Sequence, residues 1–110
     1  MCGLTGFISQ DNLENNNLIE MSELLNHRGP DDNGIYKNKD LKFNIAHNRL
    51  SIIDLNKTGS QPMISNLGKI LVYNREIYNY REIRFKLEND FKIKFNGHSD
   101  TEVLLNLIEL

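Results

Sequence analysis

Residues 41–55, LKFNIAHNRLSIIDL, contain the clearest strand pattern in the chain. Apolar residues at positions 41, 43 and 45 alternate with polar or small ones, as expected of a strand with one buried face. The apolar run from Leu50 to Leu55 predicts that extended structure continues to its end. Arg49 lies inside this stretch, where a guanidinium is costly unless it is paired or faces a cavity. Arg49 is therefore either an ion-pair partner of Asp54 or another acid, or a bidentate ligand for a carboxylate.

On either side of this stretch, changes in hydrophobic period predict the element order β-α-β-β-β-α-β-α. In the first half, a strand is predicted at 3–9 and a polar loop at 10–17, and the asparagines at 15–17 cap a helix that ends near residue 26. In the second half, a turn-rich loop is predicted at 56–62, a strand at 70–73 and a helix with apolar residues at 80, 83 and 87. A strand at 91–95 and a helix at 99–110 complete the prediction. Ser99 and Glu102 fit a capping box before the last helix. Several consecutive strands favour an α+β layered fold over a doubly wound parallel sheet.

The length and composition of the chain narrow the choice of function. The 110 residues suffice for one small domain, and the net charge of −2 gives no electrostatic reason to expect nucleic acid or an acidic membrane as a partner. No apolar run reaches the roughly 18 residues of a membrane span, and one cysteine cannot form an internal disulfide, so we expect a cytoplasmic protein. One cysteine and three dispersed histidines match no zinc spacing, so we expect no metal.

Cys2 and the polar segment HRGPDDNG at 27–34 are the first two candidates for chemistry. If Met1 is removed, Cys2 carries both a thiol and a free α-amino group, which can act as the base for its own thiol; otherwise Cys2 is a small buried apolar residue. The segment at 27–34 either forms a turn after the helix or shapes a pocket wall.

Two further candidates lie nearer the C-terminus. Asn74 follows a strand, so its side-chain amide and the next backbone N–H form either a pair of oxyanion donors or part of a strand-to-helix turn in which Asn74 or Asn79 caps the next helix. Asp100 lies in the first turn of the last helix, where its carboxylate either binds an ammonium group or complements the helix dipole. His98 is more typical of a surface residue.

Taken together and in order, six segments resemble the class II glutamine amidotransferase domain of glutamine-hydrolysing asparagine synthetases. They are Met1-Cys2-Gly3, HRGPDDNG at 27–34, AHNRLSIIDL at 46–55, GSQPM at 59–63, NREIYNYRE at 74–82 and HSDTEVLL at 98–105. The resemblance covers essentially the whole chain. It implies the N-terminal-nucleophile hydrolase fold, a four-layer αββα sandwich about twice this length, so that residues 1–110 form about its first half.

The resemblance also implies a reaction and a role for each matching residue. Glutamine is the substrate, and its side-chain amide is attacked to give a glutamyl thioester and ammonia. The implied roles are nucleophile for Cys2, oxyanion donors for Asn74 and the backbone N–H of Arg75, ligand of the substrate carboxylate for Arg49, ligand of its ammonium group for Asp100, and substrate-binding neighbours for Leu50, Ile53 and Glu76. ATP and magnesium are expected only in a synthetase domain in cis, which is absent from these residues and would amidate aspartate.

The chain departs from the family pattern in two respects. Arg75 stands where the family has glycine, and if the position requires a positive φ, arginine is strained there by roughly 1–2 kcal/mol. The last helix pattern reaches Leu110 without a stop signal, which predicts that the chain is a fragment of a longer protein. Two alternatives therefore stay open: a degenerate, non-catalytic module of the same fold, and an amidotransferase with an acceptor other than aspartate.

Overall fold

A three-stranded antiparallel sheet forms the centre of the fold in the computed structural model, which describes residues 1–9 and 15–110. Its strands are β1 (Gly3–Ile8), β2 (Asp32–Asn38) and β3 (Phe43–Arg49), in the order β1-β3-β2. Asp32 pairs with Arg49 and Gly3 with Asn48, so the ends of all three strands meet at one edge. Cys2 directly precedes β1 and therefore lies beside the end of β3.

The two faces of β3 carry different polar residues because side chains alternate along a strand. Asn48 faces helix α1 (Asn15–Glu23), where its Oδ1 accepts a hydrogen bond of 2.9 Å from the Ser22 hydroxyl. His47 and Arg49 point to the opposite face, and both are buried. Leu18 of α1, fully buried, completes the packing on the first face.

The second face of the sheet is covered by the rest of the chain. This remaining part of the chain contains a short 3₁₀ helix at Lys57–Gly59 and the two-stranded antiparallel sheet of β4 (Met63–Ile64) and β5 (Ile70–Leu71). It also contains the helices α2 (Tyr80–Asp90) and α3 (Asp100–Glu109). Helix α3 packs against both α2 and β4. The backbone at Gln61 lies directly on β2, because a Cβ at Gly34 would fall 1.8 Å from the Gln61 carbonyl oxygen.

The predicted capping box at the start of α3 is half right. The Ser99 hydroxyl accepts a hydrogen bond from the Glu102 N–H at 3.2 Å, as an N-cap should. The Glu102 carboxylate does not return this bond to Ser99. It accepts instead from the N–H groups of Asn96 and Gly97 at 2.7 and 2.8 Å, which holds the loop leading into the helix.

The mixed α/β character is confirmed, but the predicted element order is not, because three predicted segments are wrong. Residues 32–38 form β2, although 32–34 were predicted to belong to a turn or a pocket wall and no element was predicted at 35–38, since an edge strand tolerates polar residues on its exposed face. Residues 91–95 form no strand, because Lys92 adopts a positive φ of 58° and the Ile93 N–H donates to the Leu87 carbonyl instead of to a sheet. The strand ends at Arg49, and residues 50–55 form an irregular segment with a bend at 52–53.

The remaining boundaries differ by a few residues. Helix α1 ends at Glu23 and turns follow it to residue 28, and β5 is shorter than the predicted strand at 70–73. The asparagines expected to cap α1 belong to its first turn, and the predicted loop at 10–14 lies outside the described residues. Within the described part of the chain, no helix is both long and apolar enough to cross a membrane.

Candidate active site

A cavity of about 450 Å³ lies at the end of the sheet where β3 ends and β1 and β2 begin. Every residue selected from the sequence as a site residue lines it: Cys2, Arg49, Leu50, Ile53, Asn74, Arg75, Glu76 and Asp100. These residues come from four segments that are far apart in the chain. The resemblance implied that these residues share one site, and the structure brings them together at one cavity.

The Cys2 thiol lies against the backbone that follows β3. The Leu50 N–H donates to the Cys2 Sγ at 3.2 Å, and the thiol itself contacts the Leu50 carbonyl at 3.6 Å. Behind it, the Arg28 Nε donates to the Cys2 carbonyl at 3.1 Å. The polar segment at 27–34 therefore supports Cys2 from outside the cavity, and none of its residues lines the cavity wall.

The Arg49 guanidinium is held by backbone carbonyls. Its Nη1 donates to the Asn56 carbonyl at 2.8 Å and its Nη2 donates to the Asp54 carbonyl. Within the described residues Arg49 forms no salt bridge, so the expected ion pair with the Asp54 carboxylate is not what stabilises it. Since a guanidinium has five N–H donors, three have no hydrogen-bond partner among the described residues.

The Asp54 carboxylate organises the loop around Arg49. Burial opposes its ionisation, but hydrogen bonds from the His98 N–H, the Asn56 N–H and the Thr58 hydroxyl outweigh that effect and, with the nearby Arg49 charge, lower the pKa of Asp54. The carboxylate is therefore ionised at neutral pH and ties the loop after β3 to the residue before Ser99. The His98 side chain itself is exposed, as the sequence indicated.

The stretch from Tyr73 to Glu76 lines the cavity and belongs to no helix or strand. The Ile77 N–H donates to Oδ2 of Asp100 at 2.9 Å, so Asp100 contacts the residue after this stretch as well as lining the cavity. Asn79 occupies the N-cap position of α2 but its side chain makes no capping bond. Arg75 is exposed at the cavity rim.

Arg75 does not adopt the backbone conformation that would strain it. Among the described residues, the non-glycine residues with positive φ are Lys42 and Lys92. The condition under which arginine would be disfavoured at position 75 is therefore not met.

His47 is buried beside this site without being part of the cavity wall. Neither ring nitrogen has a hydrogen-bond partner among the described residues. Burial lowers the pKa of His47, the Arg49 charge acts in the same direction, and the backbone of Tyr73 and the Asp32 carboxylate oppose them without prevailing. The imidazole is therefore neutral at pH 7.

Sequence reasoning missed several residues of the site. Ile52, Gly59, Gln61, Tyr73, Tyr78 and Thr101 also line the cavity. Gly59 and Gln61 belong to the GSQPM segment, which was noticed as a motif but given no role. Their closeness to the site follows from long-range contacts, which no local pattern reveals.

Comparison with known proteins gives a consistent picture. A family model described as a glutamine amidotransferase domain matches residues 1–110. The glutamine-hydrolyzing asparagine synthetase 1 of Arabidopsis thaliana is 39% identical over 99% of this chain, and the glutamine-hydrolyzing asparagine synthetase 2 of Bacillus subtilis is 38% identical over 99%. A protein named amidase chry2 from Gibberella zeae is 35% identical over 97%. The chain spans only 15% to 18% of the length of these relatives.

Proposed function

The chain belongs to the glutamine amidotransferase domain family, and from that premise we propose that it hydrolyses the side-chain amide of glutamine with Cys2 as the nucleophile. The observation that carries the proposal is the meeting of Cys2, Arg49, Asn74 and Asp100 at one cavity. These four side chains supply a thiol, a cation, an amide donor and an anion. Together they match the reactive amide, the carboxylate and the ammonium group of one glutamine molecule.

The chemistry follows from these groups once Met1 is removed and Cys2 bears the free α-amine. The amine takes the thiol proton, the sulfur attacks the amide carbon, and the negative charge moves to the amide oxygen. The proton passes to the leaving nitrogen, and ammonia departs as the thioester forms. Water then adds to the thioester carbonyl, and glutamate leaves with the Cys2 thiol regenerated.

Binding and charge stabilisation come from different residues that line the cavity. The free donors of Arg49 bind the substrate carboxylate and the Asp100 carboxylate binds its ammonium group. The Asn74 amide and the Arg75 N–H donate to the developing oxyanion, an arrangement in which one donor contributes on the order of 10²–10³ in rate. Leu50, Ile53 and Glu76 line the remaining space around the substrate.

The fold supports the same proposal. Helix α1 packs against β1 and β3 of the larger sheet and α3 packs against β4, and we propose that these two helix-on-sheet pairs belong to an αββα sandwich. We assign residues 1–110 to the N-terminal part of this domain. We further propose that ATP and magnesium, and the amidation of aspartate, belong to a synthetase domain in cis, since the chain spans only 18% and 15% of the length of the two asparagine synthetases to which it is similar.

One comparison favours a second candidate function, in which the ammonia is delivered to an acceptor other than aspartate. The relative from Gibberella zeae is named an amidase and not an asparagine synthetase, although its identity to this chain is similar. The glutaminase chemistry would be shared, and ammonia would be delivered to a substrate other than aspartate. Supplying aspartate and ATP to the complete gene product and measuring asparagine separates these two candidates.

Glutamate release from glutamine by the complete gene product tests the central proposal. Cys2→Ala should abolish release, while Lys86→Ala, on the exposed side of α2, should leave it unchanged. Mass spectrometry of the acid-quenched enzyme should show a glutamyl adduct on Cys2. Glutamate release that persists in Cys2→Ala, or no release by the parent protein, would refute the assignment.

A further inference from the structure

The Gln61 side chain connects two parts of the cavity that are distant in sequence. Its Oε1 accepts a hydrogen bond of 2.6 Å from the Tyr73 N–H, and its Nε2 donates to the Thr101 hydroxyl at 3.2 Å. Gln61 is 7% exposed, so water competes little for these bonds. Tyr73 and Thr101 each adjoin a residue to which the proposed reaction gives a role, Asn74 and Asp100.

The segment between Tyr73 and Ile77 is held at both ends by these contacts. Gln61 fixes the Tyr73 N–H, and Asp100 fixes the Ile77 N–H at 2.9 Å. The intervening residues 74–76 lie in neither helix nor strand, so no ladder of backbone hydrogen bonds sets their position. Their geometry therefore depends on these two side-chain acceptors, both located at the N-terminal end of α3 or bonded to it.

Gln61 is itself fixed from below by the larger sheet. A Cβ at Gly34 of β2 would lie 1.8 Å from the Gln61 carbonyl oxygen and 3.0 Å from the adjacent Pro62 ring. Glycine at position 34 is what permits this close approach. The Gln61 backbone therefore packs on the same sheet that carries Arg49 and lies beside Cys2.

We propose that Gln61 is a positioning residue that holds the Asn74 amide and the Arg75 N–H in a fixed relation to Asp100. This inference rests on the proposed glutaminase function and adds a residue to it. The two proposed oxyanion donors keep a fixed distance from the ammonium-binding carboxylate because Gln61 and Asp100 accept hydrogen bonds at the two ends of the segment that carries these donors. Since an error of about 1 Å in the placement of reacting groups can cost on the order of 10²-fold in rate, loss of Gln61 should act on the chemical step.

Gln61→Met and Gln61→Glu form a matched pair for the test in the complete gene product. Methionine has a similar volume but accepts no strong hydrogen bond, whereas glutamate retains an oxygen for the Tyr73 N–H and can accept from the Thr101 hydroxyl. We expect Gln61→Met to lower kcat by between about 10- and 100-fold, with KM for glutamine changed by less than a factor of about three because Arg49 and Asp100 are intact. Gln61→Glu should restore most of the rate.

Amide hydrogen exchange provides a readout that does not depend on turnover. The Tyr73 amide should lose protection in Gln61→Met and keep it in Gln61→Glu, while the Ile77 amide stays protected in both. Loss of Tyr73 protection with an unchanged kcat, unchanged protection in Gln61→Met, or an equal loss of kcat in both variants would overturn the proposal. If Gln61→Met does not fold, Thr101→Val removes only one of the two bonds and should give a smaller fall in kcat by the same mechanism.

The two proposals fail in different ways. A parent protein that releases no glutamate refutes the proposed function, and the exchange pattern of the Gln61 pair then decides the inference by itself. A parent protein that depends on Cys2, together with a fully active Gln61→Met, leaves the function standing and refutes the role of Gln61.

Discussion

Gly59→Ala should weaken glutamine binding by displacing Arg49. A Cβ at position 59 would lie 2.2 Å from the Arg49 Nη2 and 2.9 Å from its Cζ. Because carbon atoms pack at about 3.5–4.0 Å, the guanidinium or the 3₁₀ turn has to move by roughly 1 Å. The Asp54 Cβ would also lie only 3.1 Å from the added methyl, so the methyl meets two residues at once.

The size of the effect follows from the bonds at stake. A guanidinium moved by that distance cannot keep both its bond to the Asp54 carbonyl and its contact with the substrate carboxylate. A hydrogen bond to a charged group contributes about 1.5–3 kcal/mol, and each 1.4 kcal/mol is a factor of ten in affinity. KM for glutamine should therefore rise by between about 10- and 150-fold, with a smaller effect on kcat because Cys2 and Asn74 are not displaced.

Steady-state glutamate release over a range of glutamine concentrations measures both constants. Gly68→Ala is the matched control, since Gly68 is exposed with open space around it but has a φ of 79°. Alanine there costs about 1–2 kcal/mol of stability through left-handed strain and should leave KM unchanged. A folded Gly59→Ala protein with a KM within twofold of the parent would show that Arg49 does not hold the substrate carboxylate.

Three further predictions concern single residues. Arg75→Gly should change the rate of glutamate release by far less than the roughly 10²–10³-fold effect of an oxyanion donor, because Arg75 is not at positive φ; a gain of that size would show that arginine disables the site. Burial and Arg49 lower the pKa of His47 from 6.5, so the unfolded chain binds the proton first, and stability is full above pH 6.5 and falls as the pH drops below it. Thermal melts should show this dependence of stability on pH, and it should vanish in His47→Gln. The stability that Asp54 contributes is lost only below pH 3.8, so it does not overlap with the pH range of His47. Ser99→Ala should lower the free energy of unfolding in urea by about 1 kcal/mol, and an unchanged midpoint would contradict the capping role.

Local signals predicted the parts of the fold in which one period dominates. The alternation in β3 and the serine cap of α3 were both found as expected. The strand β2 was missed because its residues read as turn formers, and it forms only by pairing with β3. Residues 91–95 show the reverse, since they alternate like a strand but have no partner, and Arg84 stacks over the Phe95 ring at 4.4 Å.

The site residues were predictable as a set for a different reason. The motifs identified Cys2, Arg49, Asn74 and Asp100 by chemical type, and the cavity brings them together. Several contacts that hold the site were not predictable, because single hydrogen bonds join Cys2 to Leu50, Asp54 to His98, and Gln61 to Tyr73 and Thr101, positions 12 to 48 apart in the sequence. A buried aspartate such as Asp54 looks the same in the sequence as a solvated one.

The side chains of Asp54 and Gln61 connect three of the four segments that form the site. Asp54 joins the loop that holds Arg49 to His98, immediately before the cap of α3. Gln61 joins the segment that carries Asn74 to Thr101 in the first turn of the same helix. The groups proposed to bind the carboxylate, the oxyanion and the ammonium are therefore all connected by hydrogen bonds to residues at or next to the N-terminal end of α3. A buried polar network of this kind contributes little net stability for each bond, but it fixes geometry, and geometry is what the proposed chemistry requires.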